Sequence, residues 1–279
     1  MCIKKIINGL KYGLFEDNRV GIIKVEGIII DAGNLSSSSK VIESFENAEK
    51  MGIKNIVLRI NSPGGTVGAS QEIYREIKKY QKEGMKIVAS LGDLAASGGL
   101  YVAVAADKIV SNPGTVTGSI GVIIKTNVVK KLYKKIGIDS QTVKSGKFKD
   151  ILSSTKNLSE EEKEILQELI DSTYEQFVES ISENRNIDKE DIKKFADGRI
   201  FSGLQAKKLG LVDEIGSQSD AVDLVAKIAG MKKKPISINL SPKKSFMQKI
   251  TGSNLQELLE NAGVNAFYKK TPLWLMPDF

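Results

Sequence analysis

Asp93-Leu94-Ala95-Ala96-Ser97-Gly98-Gly99 follows an apolar, strand-like run, Lys86 to Ser90, and opens a small-residue helical pattern that continues to Ala106. A serine set among alanines and glycines at the start of a helix keeps its hydroxyl unobstructed. It has backbone N–H groups beside it, where a helix N-terminus also favours an anion. The same residues would serve a packing helix with Ser97 as its cap, so this run alone leaves both uses open.

Working upstream, Asn55 to Ile60 is a short apolar run of the kind found in buried parallel strands. The turn Asn61-Ser62-Pro63-Gly64-Gly65 follows it, then a helical pattern from Ala69 to Glu83. Two glycines after a proline can turn backbone N–H groups outward, as an oxyanion hole requires, or can make a plain type II turn. Val20 to Ile30 reads as a further strand interrupted at Glu26-Gly27, and Ser36 to Met51 has helical spacing.

Downstream, strands are expected at Lys108 to Ser111 and Val122 to Lys125, with a helix at Val129 to Ile136. This alternation with short connections predicts an α/β fold with parallel strands. A long helix spans Ser159 to Asn184, and its first turn, Glu160-Glu161-Glu162, reads as a solvated acidic start suited to the helix dipole. Shorter helices are expected at Asp188 to Phe195 and Asp220 to Ala229, with a turn and short helix between Gly198 and Gly210. After Pro235 the periodicity fades into a tail ending Trp274-Leu275-Met276-Pro277-Asp278-Phe279. The organisation is thus an N-terminal segment 1–18, a body 19–240 and a tail 241–279.

Composition removes many chemistries. The chain of 279 residues contains no histidine and one cysteine, Cys2. No Ser-His-Asp or Cys-His machinery can therefore exist within it, nor an internal disulfide or a cysteine-rich metal site. Any hydrolytic base must be Lys, Asp, Glu or a terminal amine. The net charge is +7, but the lysines lie on helical patterns without interleaved aromatic residues, so nucleic-acid binding is not expected. No run approaches the roughly 20 apolar residues of a membrane-spanning helix, and no signal peptide is seen. Lys4 to Leu14 fits an amphipathic helix, either packed on the body or lying on a membrane surface, so a cytoplasmic or peripheral location is expected.

A third segment, Lys144-Ser145-Gly146-Lys147-Phe148-Lys149-Asp150, is by itself a basic surface turn. A lysine serves as general base only where burial or nearby cations disfavour its ammonium form. Taken together, however, the run from Asp93 to Ala106, Thr117-Gly118-Ser119-Ile120-Gly121-Val122, Ser145 to Asp150, Asn61 to Gly65, Phe201-Ser202-Gly203 and Gly210-Leu211-Val212-Asp213 resemble the SppA signal peptide peptidases in order and spacing. The resemblance covers roughly Val20 to Ile228.

That resemblance implies a ClpP/crotonase-like spiral of βαβ units with a C-terminal helical arm. It also implies a serine endopeptidase with a Ser-Lys dyad working through an acyl-enzyme. Ser97 matches the nucleophile, Lys149 the general base and Ser119 the residue that orients that base, with Lys147 a solvent-facing neighbour. Gly64 and Gly98 match the oxyanion hole, with Gly65 a further contributor. No cofactor and no metal is implied. The expected partners are apolar, signal-peptide-like substrates and further copies of the chain in a ring, most often an octamer, in which serine and lysine come from adjacent protomers. Two rival readings use the same fold: an acyl-CoA enzyme of the crotonase type, and a non-catalytic assembly protein.

Overall fold

The computed structural model describes residues 17–31, 38–241 and 272–276. The expected helix at Lys4 to Leu14 and most of the segment after residue 241 lie outside them. Strand β1 (Arg19–Glu26) is followed by helix α1 (Ser38–Lys50), β2 (Asn55–Ser62), β3 (Gly64–Thr66) and α2 (Val67–Lys82). Then come β4 (Lys86–Ala96), α3 (Gly98–Val104), β5 (Lys108–Ser111), β6 (Val116–Gly118) and α4 (Lys130–Lys135). The chain continues through α5 (Glu160–Arg185), α6 (Lys189–Lys193), β7 (Ile200–Ser202), α7 (Gly203–Lys208), β8 (Glu214–Ile215), α8 (Gln218–Ile228) and β9 (Ile236–Asn239). A last strand, β10, is Leu273–Leu275.

The main sheet runs β7-β6-β4-β2-β1-β9, with β5 pairing β4 and β8. Every pairing in it is parallel except β6 with β7. Its central strands are apolar on both faces, as a sheet covered by helices on each side requires. Alternation sorts the side chains: Ile22, Val57 and Val88 lie in register across β1, β2 and β4 and, with Val20 and Val110, pack under Ala221, Val222 and Val225 of α8. Ile23, Ile56, Leu58, Ile87, Ala89 and Leu91 point the other way, into the larger core beneath the remaining helices.

Several elements differ from the sequence reading. β4 continues past Ser90 to Ala96, because Ala95 and Ala96 gain partners on both sides: Ala95 pairs with Ser62 and Thr117, and Ala96 with Gly118. The helix after it is correspondingly shorter, starting at Gly98 rather than Ala95. Val122 to Lys125 is not a strand; only Ile123 makes a bridge, to Leu273. The acidic start of α5 is solvated at Glu160 and Glu161, but Glu162 is buried. Its carboxylate closes a capping box with Ser159 and accepts from Lys156, so it is an anchor rather than a solvated charge. Ile165, Leu169, Phe177 and Ile181 stand at helical spacing along α5; Phe177 and Ile181 are buried in the core whereas Ile165 and Leu169 remain exposed.

Candidate active site

β4 delivers Ser97 directly after Ala96, the last residue of its pairing with β6. The Ser97 N–H donates to the Gly118 carbonyl at 2.8 Å, and the Ser97 carbonyl accepts from Tyr101 N–H at 2.9 Å as α3 begins. Between these two ties the residue is held at φ 53° and ψ −119°. That region costs a non-glycine residue about 1–3 kcal/mol and persists only where its surroundings over-determine it. The side chain is buried, 1% exposed, and its Oγ meets no hydrogen-bond partner among the described residues. A sharp strand-to-helix corner that carries an unpartnered hydroxyl is an arrangement suited to nucleophilic chemistry.

Ser119 stands next to this corner, following the Gly118 whose carbonyl holds Ser97. It too has positive φ, 51°, fixed by donation of its N–H to the Arg199 carbonyl at 2.8 Å. The parallel pairing of β4 with β6 therefore brings the two serines together.

The Asn61 to Gly65 turn forms the opposite wall. Asn61 Oδ1 accepts from Leu94 N–H at 3.1 Å, which ties this turn to β4 just before Ser97. The Gly64 N–H is taken by Ser62 Oγ at 3.1 Å. The Gly64 carbonyl accepts from Ile29 N–H and the Ile29 carbonyl from Thr66 N–H, at 2.8 and 2.9 Å, so one edge of β3 is closed by Ile29. That leaves the N–H and carbonyl of Gly65 on the other edge. A side chain at Gly65 would fall 1.8 Å from the Ile29 carbonyl oxygen, so no larger residue fits this backbone approach.

Along that second edge lies β10, antiparallel to β3, with Leu273 opposite Thr66, Trp274 opposite Gly65 and Leu275 opposite Gly64. Val67 N–H donates to the Pro272 carbonyl at 3.5 Å and Met276 N–H to the Pro63 carbonyl at 3.0 Å. Because hydrogen-bonded pairs alternate along an antiparallel ladder, Trp274 and Gly65 are the bonded pair between them. On its other side Leu273 exchanges both backbone bonds with Ile123, at 3.1 and 3.2 Å. The Trp274 carbonyl oxygen sits where side chains would begin at the two flanking glycines, 1.9 Å from a Cβ built on Gly64 and 3.0 Å from one built on Gly98. The Trp274 indole is fully buried, with its ring centre 4.0 Å from that of Tyr101 and 4.9 Å from that of Phe177.

Ser97, Ser119, Gly64, Gly65 and Gly98 are thus gathered at one place, and Lys149 is not. Lys149 is exposed, and Ser97 Oγ bonds to no amine among the described residues. Its neighbours are committed elsewhere: Lys147 pairs with Glu161 and lies over the Phe148 ring, and Lys144 and Lys156 converge on Asp150 at 2.5 and 2.9 Å. Those two ammonium groups hold the Asp150 carboxyl down at about 2. Of the aromatic walls, Tyr101 was not singled out by sequence reasoning, and Phe177 only as part of an apolar helical stripe. Tyr101 lies one helical turn after Ser97 in a small-residue helix, the one signal that marked it.

The profile of peptidase family S49 matches residues 79–232, and that of Clp protease matches residues 24–115. A Synechocystis sp. protein named as a protease is 39% identical over 92% of this chain and 95% of its own length. An Enterococcus faecium protein named as the signal peptide peptidase SppA is 38% identical over 74% of this chain and 62% of its own length. The chloroplastic serine protease SPPA of Arabidopsis thaliana is 34% identical over 79% of this chain, which spans only 33% of that longer relative. The chain belongs to peptidase family S49. It is a serine protease on a Clp protease-like α/β fold, and this membership sets aside the acyl-CoA and scaffolding alternatives.

Among the described residues no helix is long and apolar enough to cross a membrane.

Proposed function

We propose that the chain is an endopeptidase that takes apolar peptides as an extended strand against the edge of Gly64–Thr66 that β10 lines, and cleaves them with Ser97 as nucleophile. The observation that carries this reading is the strained, buried and unpartnered Ser97 hydroxyl beside a strand-accepting edge. A peptide bound there makes main-chain bonds along β3, which ask little of its sequence, and places one side chain in the aromatic pocket of Tyr101 and Phe177.

In this reading Ser97 Oγ attacks the peptide carbonyl and passes its proton to a neutral lysine amine. The tetrahedral oxyanion is held by backbone N–H groups, for which Gly65 and Gly98 are better placed than Gly64, whose N–H is engaged by Ser62. Collapse breaks the C–N bond, and the leaving amine takes the proton. Water then hydrolyses the Ser97 ester, with the same amine as base. No metal or cofactor takes part.

The lysine is Lys149 of a second copy of the chain, oriented by Ser119. Three facts support a shared site. Lys149 is exposed, and Ser97 Oγ accepts no bond from it within the chain. The stretch that carries it also exposes Val128, Leu132, Ile136, Ile138 and Val143, a set of apolar side chains that water solvates poorly. Ile165 and Leu169 are likewise exposed, on α5. Docking a neighbour there would remove these side chains from water and desolvate Lys149 at once, which is what a lysine base requires. A closed ring, an octamer in its expected form, satisfies every such junction.

The test is a fluorophosphonate probe. It should label the wild-type protein at Ser97 and fail to label Ser97→Ala, with chelators making no difference. Equal labelling of the variant, or activity that needs a metal, would overturn the assignment.

A further inference from the structure

Lys149 immediately precedes a carboxylate, Asp150, which is the wrong neighbour for a lysine that must give up its proton. A carboxylate within reach of an amine favours the ammonium form, whereas nearby cations disfavour it. Resting on the proposed function, we infer that Lys144 and Lys156 are positioning residues for the base: they occupy the Asp150 carboxylate, keep it from Lys149 and fix the turn that carries Lys149.

The bonds of this turn support that role. The Lys144 amine donates to the Lys147 carbonyl at 2.7 Å and to Asp150 Oδ1 at 2.5 Å, so one ammonium ties the chain on both sides of Lys149. The Lys156 amine donates to the same Oδ1 at 2.9 Å and to Glu162 Oε1 at 2.5 Å. Glu162 is buried in the capping box that starts α5, so the turn is fastened to the long helix rather than left to itself. Asp150 is half-buried between its two lysines, and among the described residues it accepts nothing from the Lys149 amine. With Lys144 the larger cause and Lys156 the next, its carboxyl is held at about 2, so it stays anionic and paired at neutral pH.

The charges around Lys149 are balanced. Lys144 and Lys156 face Asp150 and Glu162, while on the first turn of α5 Glu161 pairs with Lys147 and Glu160 with Lys163. The stretch packed on this turn, through Thr126 Oγ1 to the Leu152 carbonyl and Val129 N–H to that of Ser154, brings Lys125 and Lys130 and no acid between them. On the copy that supplies Ser97, the corner itself is made of serines and glycines. The charged residues beside it are Asp93, on β4, and Arg199, whose carbonyl holds Ser119 and whose side chain pairs with Asp197 at 2.5 Å. Removing one member of the Lys144, Asp150, Lys156 and Glu162 group therefore changes the charge beside the base by one, with a sign set by which member goes.

The test is the pH dependence of fluorophosphonate labelling at Ser97, and of hydrolysis of a fluorogenic apolar peptide, with the full chain in its assembled form at low salt. Lys144→Met releases the Asp150 carboxylate and should move the acid limb of both rates up by about 0.5–1 in pH. Asp150→Asn removes the carboxylate and leaves both ammonium groups, so it should move the limb down by a similar amount. Lys144→Arg keeps the cation and should leave the limb where wild type has it. A merely structural role would lower the rates at every pH and leave the limb in place. Lys156→Met also strands the buried Glu162, so it should add such a general loss to an upward shift. Lys144 lies at the surface, and the contrast of Lys144→Met with Lys144→Arg decides alone should Asp150→Asn not fold. Limbs that coincide with that of wild type, or that move the same way in Lys144→Met and Asp150→Asn, would overturn this inference and, with Lys149→Ala silent, leave the proposed function standing. A Lys149→Ala protein that keeps the wild-type rate would overturn the base assignment, and the role of Lys144 and Lys156 with it.

Discussion

The N–H of Ser97 donates to the carbonyl of Gly118 at 2.8 Å, and this one bond sets two residues of positive φ, Ser97 and Ser119, side by side at the end of the sheet. Strain on neighbouring serines, each over-determined by strand pairing on one side, is the mark of a site whose geometry is kept at the expense of stability.

The first prediction follows from that strain. Ser97→Gly relieves a left-handed backbone and deletes a buried, unpartnered hydroxyl, so it should stabilise the fold by about 1 kcal/mol while abolishing activity. Ser97→Ala should be equally inactive with a smaller change in stability, since alanine keeps the unfavourable backbone. Denaturant midpoints with a peptidase assay check both, and a destabilised Ser97→Gly would contradict the strain argument.

Gly64 makes a second prediction. Its φ is +103°, and a Cβ there would lie 1.9 Å from the carbonyl now seated in the groove. Gly64→Ala should therefore cost about 1–2 kcal/mol of stability from backbone strain alone, and should lose at least about a hundredfold in activity because the added methyl occupies the substrate's carbonyl site. Activity near wild type in a folded Gly64→Ala would place the substrate strand elsewhere.

How much of this was legible beforehand differs from element to element. Ser97 among Ala95, Ala96, Gly98 and Gly99 was readable because a tight strand-to-helix corner needs small residues, and small residues in a row are visible. The parallel strands β2, β4 and β5 were readable because burial on both faces makes them continuously apolar. β6 and β7 have three residues each, too few for any period to show, and they exist because they pair with β4 and with each other. Ile123 looked like part of a strand and has its one partner in Leu273, some hundred and fifty residues on, a pairing no local pattern encodes. The apolar, extended character of Leu273 to Phe279 did suggest a peptide fit for a groove, but nothing in the sequence says which side chain enters the pocket.

The loop that carries Lys149 gives a third prediction, in pH. Lys144 and Lys156 keep the Asp150 carboxyl at about 2, below its ordinary 3.8, and Lys156, aided by the Ser159 N–H, lowers that of Glu162. A carboxyl whose value falls on folding contributes stability that is fully present above the unfolded value and is lost as pH falls through the folded one. Hydrogen-exchange protection of residues 147–156, corrected for the intrinsic rate, should hold down to about pH 4 and fall between about 4 and 2. Lys156→Met should shift that loss upward and loosen the loop at neutral pH. Identical protection in both proteins across the window would show that these ion pairs do not anchor the loop.

Lys147 and Lys149 supply the fourth. Lys147 is engaged with Glu161 on the surface, so Lys147→Ala should keep most of the activity, within about threefold, as exposed ion pairs contribute little. Lys149→Ala should be inactive yet folded. The reverse pattern would show that the base is Lys147.

The central claim, that Ser97 of one chain works with Lys149 of another, is tested most directly by mixing. Ser97→Ala and Lys149→Ala chains are co-expressed, mixed assemblies are verified by mass, and peptide hydrolysis is measured. Each variant alone should be silent, and the mixture should recover about a quarter of wild-type activity, the share of junctions that random pairing leaves with both groups intact. Mixed assemblies of verified composition that stay as silent as the single variants would contradict the shared site.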